Sequence, residues 1–381
     1  MVFSFILYNF ILFSSTLFIF LFNITKSKYI KHIFIFISFF IVFIPSALRY
    51  NIGTDYRTYV EIFNKLKLYH YSYVEFGYTQ LNQLIISLNL TSEYLFAIVA
   101  FLTYFFIYLT YSKSNKSYIF HFLFICTGYF SSFYLLRSTI SLSICIFAIA
   151  LYLNNSKVFI FLLLIFIASL FHKAALIYML IPILGSMKLK KLYINLRFII
   201  LLSIFVIFIF KDQLVTFVFH SKLIDILGYS DYVSSELFSK KTSYGSGLGI
   251  LLRALPLIII ILLTKKLLTH DKRNSLIIFT ALISIISIIF SSTIEIFSRL
   301  EKMFIFSYMF GIIAILQCPT IKFRNFYCFF FILVYLLLFE LTIINSSSYK
   351  CEGARITPYV SILNKEDDQS LNLTRIQCEK L

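Results

Sequence analysis

The side chains of this chain that could do chemistry are few, scattered and of complementary types. Arg49, Arg137, Arg253, Arg299 and Lys173 could neutralise a phosphate or diphosphate, arginine through two parallel N–H groups. Asp55 and His172 are candidate general bases for a sugar hydroxyl, with Glu75 in reserve. Tyr56, Tyr59 and Tyr78 offer flat rings for stacking on sugars and hydroxyls for hydrogen bonding. Together these types suit group transfer onto or from a phosphorylated, sugar-bearing molecule.

Taken singly, each has a plainer reading. Arg137 or Arg253 near a helix end can snorkel to a phosphate layer. Asp55 after Gly53-Thr54 is a natural turn former. Glu75 could pair with a surface lysine for little gain, and His172 beside Lys173 could cap a helix. The case rests on the set converging on one face, and that depends on the elements that carry it.

Those elements are apolar. Of 381 residues, 60% are hydrophobic and 13% charged, against roughly a quarter charged in soluble domains. The apolar residues come in blocks separated by short polar breaks, which predicts an all-α, polytopic transmembrane helical bundle. We read spans at 3–22, 30–48, 93–111, 118–136, 138–153, 158–171, 174–187, 198–210, 248–264, 275–291, 303–317 and 326–344. The first has no small-residue cleavage site after it and is kept as a membrane helix.

A net charge of +17 would suit nucleic acid if it were clustered on one surface, but its distribution follows the spans instead. With Lys31, the breaks at 23–29, 112–117, 154–157, 188–197, 265–274 and 318–325 hold 16 Lys/Arg and one acid, Asp271, leaving 18 Lys/Arg and 16 Asp/Glu elsewhere. The positive-inside rule therefore puts those breaks in the cytoplasm and both termini in the periplasm. Every candidate residue named above then faces outward.

One integral domain, 1–344, is expected, with outward loops at 49–92 and 211–247 and a periplasmic tail, 345–381. Leu81, Leu84, Ile85 and Leu88 fall on one helical face within the first loop, as an interfacial helix or an ordinary packed one would have them. SYGSGLG (243–249) suits a turn before the next span. The mixed-charge stretch NKEDDQSLNLTR in the tail reads as partly disordered. Cys351 and Cys378 share the tail, where a disulfide is chemically permitted, and the pairing is left open. Cys126, Cys145, Cys318 and Cys328 read as packing residues. No Cys-x-x-Cys or metal spacing, P-loop or Gly-rich dinucleotide turn is found, so no metal or other cofactor is expected. Glu340 is the acid nearest a span interior and lies close to its outward end, which weakens a proton-coupled transporter reading.

Several of these stretches resemble a known group. RYNIGTDYRTY (49–59), EFGY (75–78), LRSTISLSICIFAIALYL (135–152) and FHKAAL (171–176), with RLEKMF (299–304) and PY (358–359), are similar to the EpsG/Wzy bacterial polysaccharide polymerases. The resemblance runs over most of the chain. It implies an inner-membrane enzyme of O-antigen, capsule or exopolysaccharide assembly, and a GT-C-like architecture is compatible with it. Such an enzyme joins undecaprenyl-diphosphate-linked repeat units on the periplasmic face, with a chain-length regulator as a further candidate partner. It marks Arg49, Gly53, Asp55, Tyr56, Tyr59, Glu75, Gly77, Tyr78, Arg137, His172 and Arg299.

The expected reaction is glycosyl transfer between lipid-linked units, in which Arg49, Arg137 and Arg299 stabilise the departing diphosphate. The rivals are a lipid-linked oligosaccharide flippase, a glycosyltransferase using a polyprenyl-phosphate sugar, and a membrane acyltransferase. A flippase needs a polar path through both membrane faces, a single-sugar transferase leaves chain length unchanged, and an acyltransferase calls for an inward or mid-membrane histidine.

Overall fold

The computed structural model describes residues 1–70, 74–112, 116–154, 157–182, 189–219, 247–271, 273–293, 295–364 and 369–378. Among them the backbone is helical throughout, with only isolated β-bridges, Arg49 to Ser361 and Ser347 to Thr357. The chain divides into two units, Met1–Met179 with Tyr335–Leu381, and Leu180–Val334.

In the first unit, α1 (Val2–Ile24) and α2 (Lys28–Ala47) pack side by side, and α2 packs on α5 (Ser92–Tyr111). The chain continues with α6 (Ser117–Phe124), which leads through a π-helical turn, Ile125–Tyr129, into the four-residue α7 (Ser131–Tyr134). α8 (Leu136–Leu153) packs on α5 and on α9 (Val158–Phe171). Between α2 and α5 lie two shorter helices, α3 (Tyr56–Tyr69) and α4 (Phe76–Ser87). α3 forms because Tyr59, Ile62, Phe63 and Leu66 recur at helical spacing and are all buried. α4 buries Tyr78, Asn82 and Ile85 while Leu84 and Leu88 stay exposed.

By length and hydropathy, six described helices can cross a membrane, or seven if Leu248–Leu262 and Thr264–His270, bent by 55°, form one broken span. Four shorter apolar helices accompany them. The expected count of twelve is therefore not set by helix length. Part of the difference lies at 118–136, where a π turn and a break at Leu135 interrupt the helix. Another part lies at 174–187, where Lys173–Leu180 is a 3-10 helix and 183–188 fall outside the described residues. α9 has 14 residues, about 21 Å of helix against a bilayer core of roughly 30 Å.

In the tail stretch 364–375, expected to be partly disordered, residues 365–368 lie outside the described residues and the remainder is structured. Gln369–Cys378 is a helix, and Cys351 and Cys378 are joined by a disulfide. Arg375, buried, donates to Ser348 Oγ (3.1 Å), the Tyr50 carbonyl (3.2 Å) and the Pro358 carbonyl (2.8 Å). Asn51 donates to Asn372 at 3.1 Å, and Tyr50 N–H to the Val360 carbonyl at 2.9 Å. The tail's own polar groups thus satisfy the backbone of the loop after α2, which is why it orders. Of the outward loop 211–247, Lys211–Phe219 is a helix, while residues 220–246, with most of SYGSGLG, lie outside the described residues.

In the second unit, Leu248–Leu262, Asn274–Phe290 and Phe306–Gln317 pack on one another. Glu295–Met303 precedes the last of them.

Candidate functional site

Two residues far apart in sequence meet at Glu75, the N-cap position of α4. Arg137, in the first turn of α8, donates from Nη1 to Glu75 Oε2. His172, at the C-terminal end of α9, places Nδ1 3.1 Å from Glu75 Oε1. Glu75 is nearly enclosed, its side chain 11% exposed, while Arg137 and His172 each keep 27%. Burial works against the Glu75 carboxylate, yet the His172 hydrogen bond and the Arg137 charge outweigh it and hold the carboxyl at about 2. An anion facing Nδ1 fixes the proton on that nitrogen, so the neutral ring keeps its lone pair on Nε2.

Gly77 makes this meeting possible. A Cβ there would lie 2.9 Å from the Leu170 carbonyl oxygen, so the start of α4 rests directly on the end of α9. That contact sets Glu75 against His172.

Arg49 stands apart in character. It follows α2, is 0% exposed, and donates to Ser46 (main-chain O and, at 3.4 Å, Oγ) and to the Ser132 carbonyl at 3.4 Å. Its guanidinium lies over Phe96 (5.3 Å) and Phe133 (5.0 Å), and Tyr104 ties Ser46 to Ser132 by hydroxyl contacts of 3.0 and 2.8 Å. Among the described residues no carboxylate lies within ion-pair distance of Arg49, and its Nε has no partner. Burial depresses its pKa, and surrounding tyrosines oppose that effect. Arg49 therefore fastens the end of α2 to the break before α8, the segment that delivers Arg137. Gly53 performs a similar service with φ +102°, where a Cβ would meet the Phe133 carbonyl oxygen at 2.7 Å.

The tyrosines line the interior between these groups. Tyr59 packs edge-on against Tyr78 (5.7 Å) and lies beside Arg137 and Asp55; burial pushes its hydroxyl up. Tyr78 is fully buried, and its hydroxyl lacks a partner among the described residues. Tyr56 stacks on Phe96 at 4.1 Å with 3° between ring planes. Asp55, half-buried at the N-cap of α3, accepts from Thr54 Oγ1 at 3.0 Å. Lys173 is exposed beside His172.

Arg253 and Arg299 belong to the second unit. Arg253 clasps Glu301 through two contacts of 2.9 and 3.0 Å, and Arg299 is exposed on the helix Glu295–Met303. Sequence reasoning did not single out Ser46, Tyr104 and Ser132 around Arg49, nor Arg375. Their one signal was polarity inside or beside apolar stretches. Among the described residues no group of three or more His, Cys, Asp or Glu could hold a metal ion.

A multi-pass helical membrane protein with a polar, carboxylate-centred cluster where several helices end is the class these features define. The model of the EpsG family matches residues 32–361, and the chain belongs to that family of Wzy-type polysaccharide polymerases. The match takes in every candidate residue from Arg49 to Arg299. Comparison with curated proteins finds no match, and neither does comparison with solved structures.

Proposed function

We propose that the chain polymerises undecaprenyl-diphosphate-linked oligosaccharide repeat units at the periplasmic face of the inner membrane. The observation that carries this reading is the Glu75–His172 contact, which leaves Nε2 of a part-exposed imidazole as a base. The acceptor sugar's hydroxyl gives its proton to Nε2 as its oxygen bonds to the donor's anomeric carbon. The anomeric carbon's bond to the diphosphate oxygen breaks, and the electron pair leaves with undecaprenyl diphosphate. Negative charge grows on that leaving group, and Arg137, with Lys173 adjacent to His172, is placed to meet it.

On this reading the expected roles shift. Glu75, with its carboxyl held at about 2, is a poor base and serves to orient His172. Arg49 is enclosed, so it acts by positioning the α7–α8 break and by its field instead of by touching a phosphate. Asp55 is the second candidate base, and Arg253 and Arg299 are second-unit candidates for the diphosphate.

The test is a strain lacking its native copy and carrying His172→Ala or Arg137→Ala at normal abundance. The expected result is loss of the polymer ladder with single-unit surface glycan retained. A full ladder in both variants would sink the assignment, and loss of all surface sugar would point to export.

A further inference from the structure

α3 has two working sides. Tyr59 turns inward to Arg137, whereas Tyr56, Arg57, Val60 and Glu61 follow the i, i+1, i+4, i+5 pattern of another face. That face joins Tyr50, Ser92 and Glu93 around a cleft of about 320 Å³ within the first unit. Its walls are held. Tyr56 is clamped flat on Phe96, and the Tyr50 carbonyl accepts from buried Arg375 at 3.2 Å. No role in the proposed reaction uses Arg57, Glu61 or Glu93.

The lining chooses among ligands. Two carboxylates against one guanidinium repel a phosphate or another anion. A lipid tail finds one aliphatic side chain, Val60, which is too little apolar wall to hold it. The volume sits at the lower end of the roughly 300–1,000 Å³ typical of small-ligand sites, room for one or two sugar rings. Carboxylate acceptors, guanidinium and hydroxyl donors, and the half-buried Tyr50 ring match a surface dense in hydroxyls.

We propose that this cleft is a glycan subsite, gripping a neutral or amino sugar of the growing polymer away from the bond being made. The inference rests on the polymerase reading and adds to it a means of retaining product between additions. α3 would hold the saccharide on one side and border the reacting groups on the other.

Full-length Glu61→Gln and Glu93→Gln, singly and together, placed in the deletion strain beside His172→Ala, test it by the length distribution of the surface polysaccharide. Each cleft variant should shift the ladder toward shorter products, with mean length falling roughly two- to tenfold, the weight of one or two hydrogen bonds. An unchanged ladder in the double variant overturns the subsite. Loss of every product, with the protein at native abundance, overturns it too, because it moves these carboxylates into bond formation. A normal ladder in the cleft variants beside a lost one in His172→Ala refutes the subsite alone; a normal ladder in all of them refutes the polymerase reading as well. Independently, Glu61→Cys in intact cells should react more slowly with a membrane-impermeant maleimide when lipid-linked repeat units are being made than when their synthesis is blocked. Equal rates count against the proposal.

Discussion

Glu75 Oε1 lies 3.1 Å from His172 Nδ1, across 97 positions of sequence, while its other oxygen accepts from Arg137. One carboxylate therefore fixes both the tautomer of a histidine and the place of an arginine, and three helix ends share it. Removing its charge should disturb both partners at once. Glu75→Gln keeps the shape but presents an amide, which allows the imidazole to rotate or change tautomer. Polymer yield per protein should fall about 10²-fold or more, the scale of losing a positioned base, and Glu75→Asp should recover part of it. Ladder intensity normalised to membrane abundance measures this, and near-normal yield for Glu75→Gln would contradict the orienting role.

The same carboxyl gives a pH signature for stability. Its folded value, about 2, lies below the roughly 4.3 of an unfolded glutamate. Its stabilisation is therefore fully present above the unfolded value and lost as pH falls through the folded one. With partners that keep some contact with solvent, the contribution is roughly 1–3 kcal/mol. Thermal unfolding in detergent should show wild type above Glu75→Gln at neutral pH, with the gap closing between about pH 4 and pH 2. A gap that stays constant across that window would contradict the ion pair.

Much of this architecture could be read from the residues, and what was hidden has physical causes. Apolar blocks announced a helical membrane protein, and the spacing of Leu81, Leu84, Ile85 and Leu88 announced α4 within a polar loop, whereas α3 beside it was not read. The types at Glu75, Arg137 and His172 signalled chemistry, but not that Glu75 serves the other two. That depends on Gly77 seating α4 on the Leu170 carbonyl, a contact no local pattern encodes. Arg49 read as a cation for the departing diphosphate; its burial follows from Ser46 and Ser132 converging on it from separate helices. The stretch NKEDDQSLNLTR in the tail read as partly disordered because its composition is polar. Those polar groups, Arg375 and Asn372 among them, are spent on backbone and side chains of the loop after α2.

Arg49 offers a test of a buried cation held by neutral acceptors. Lysine keeps the charge but not the fork that reaches both Ser46 and Ser132. Arg49→Lys should leave the protein in the membrane while cutting polymer yield about tenfold or more, the cost of one or two charge-assisted hydrogen bonds. Arg137 labelling or crosslinking patterns should shift with it, since the break that carries Arg137 is loosened. Full yield from Arg49→Lys would show that charge alone matters there.

Gly77→Ala probes the α4–α9 seat directly. A methyl 2.9 Å from a backbone oxygen requires α4 to move, and backbone cannot yield as a flexible side chain would. The shift separates Glu75 from His172, so activity should fall by about 10²-fold, as displacements of an ångström do. Combining Gly77→Ala with Glu75→Gln should cost little more than either alone, because both break one contact. Additive losses would place Gly77 outside this route.

The Cys351–Cys378 bond closes a loop with a sequence separation of 27, and the closed tail carries Arg375 to the Tyr50 carbonyl. Opening it frees the C-terminal helix, and the loop Tyr50–Gly53 then loses the groups that satisfy its backbone. Cys351→Ser with Cys378→Ser should lower stability by about 2–4 kcal/mol and make the tail more sensitive to protease. Product should shorten as the wall of the glycan cleft at Tyr50 slackens, whereas Arg375→Lys with the disulfide intact should shorten it less. Limited proteolysis and ladder length in the same strains report both effects. A tail as resistant as wild type after the cysteines are removed would show that packing alone holds it, and ladder length should then be unchanged.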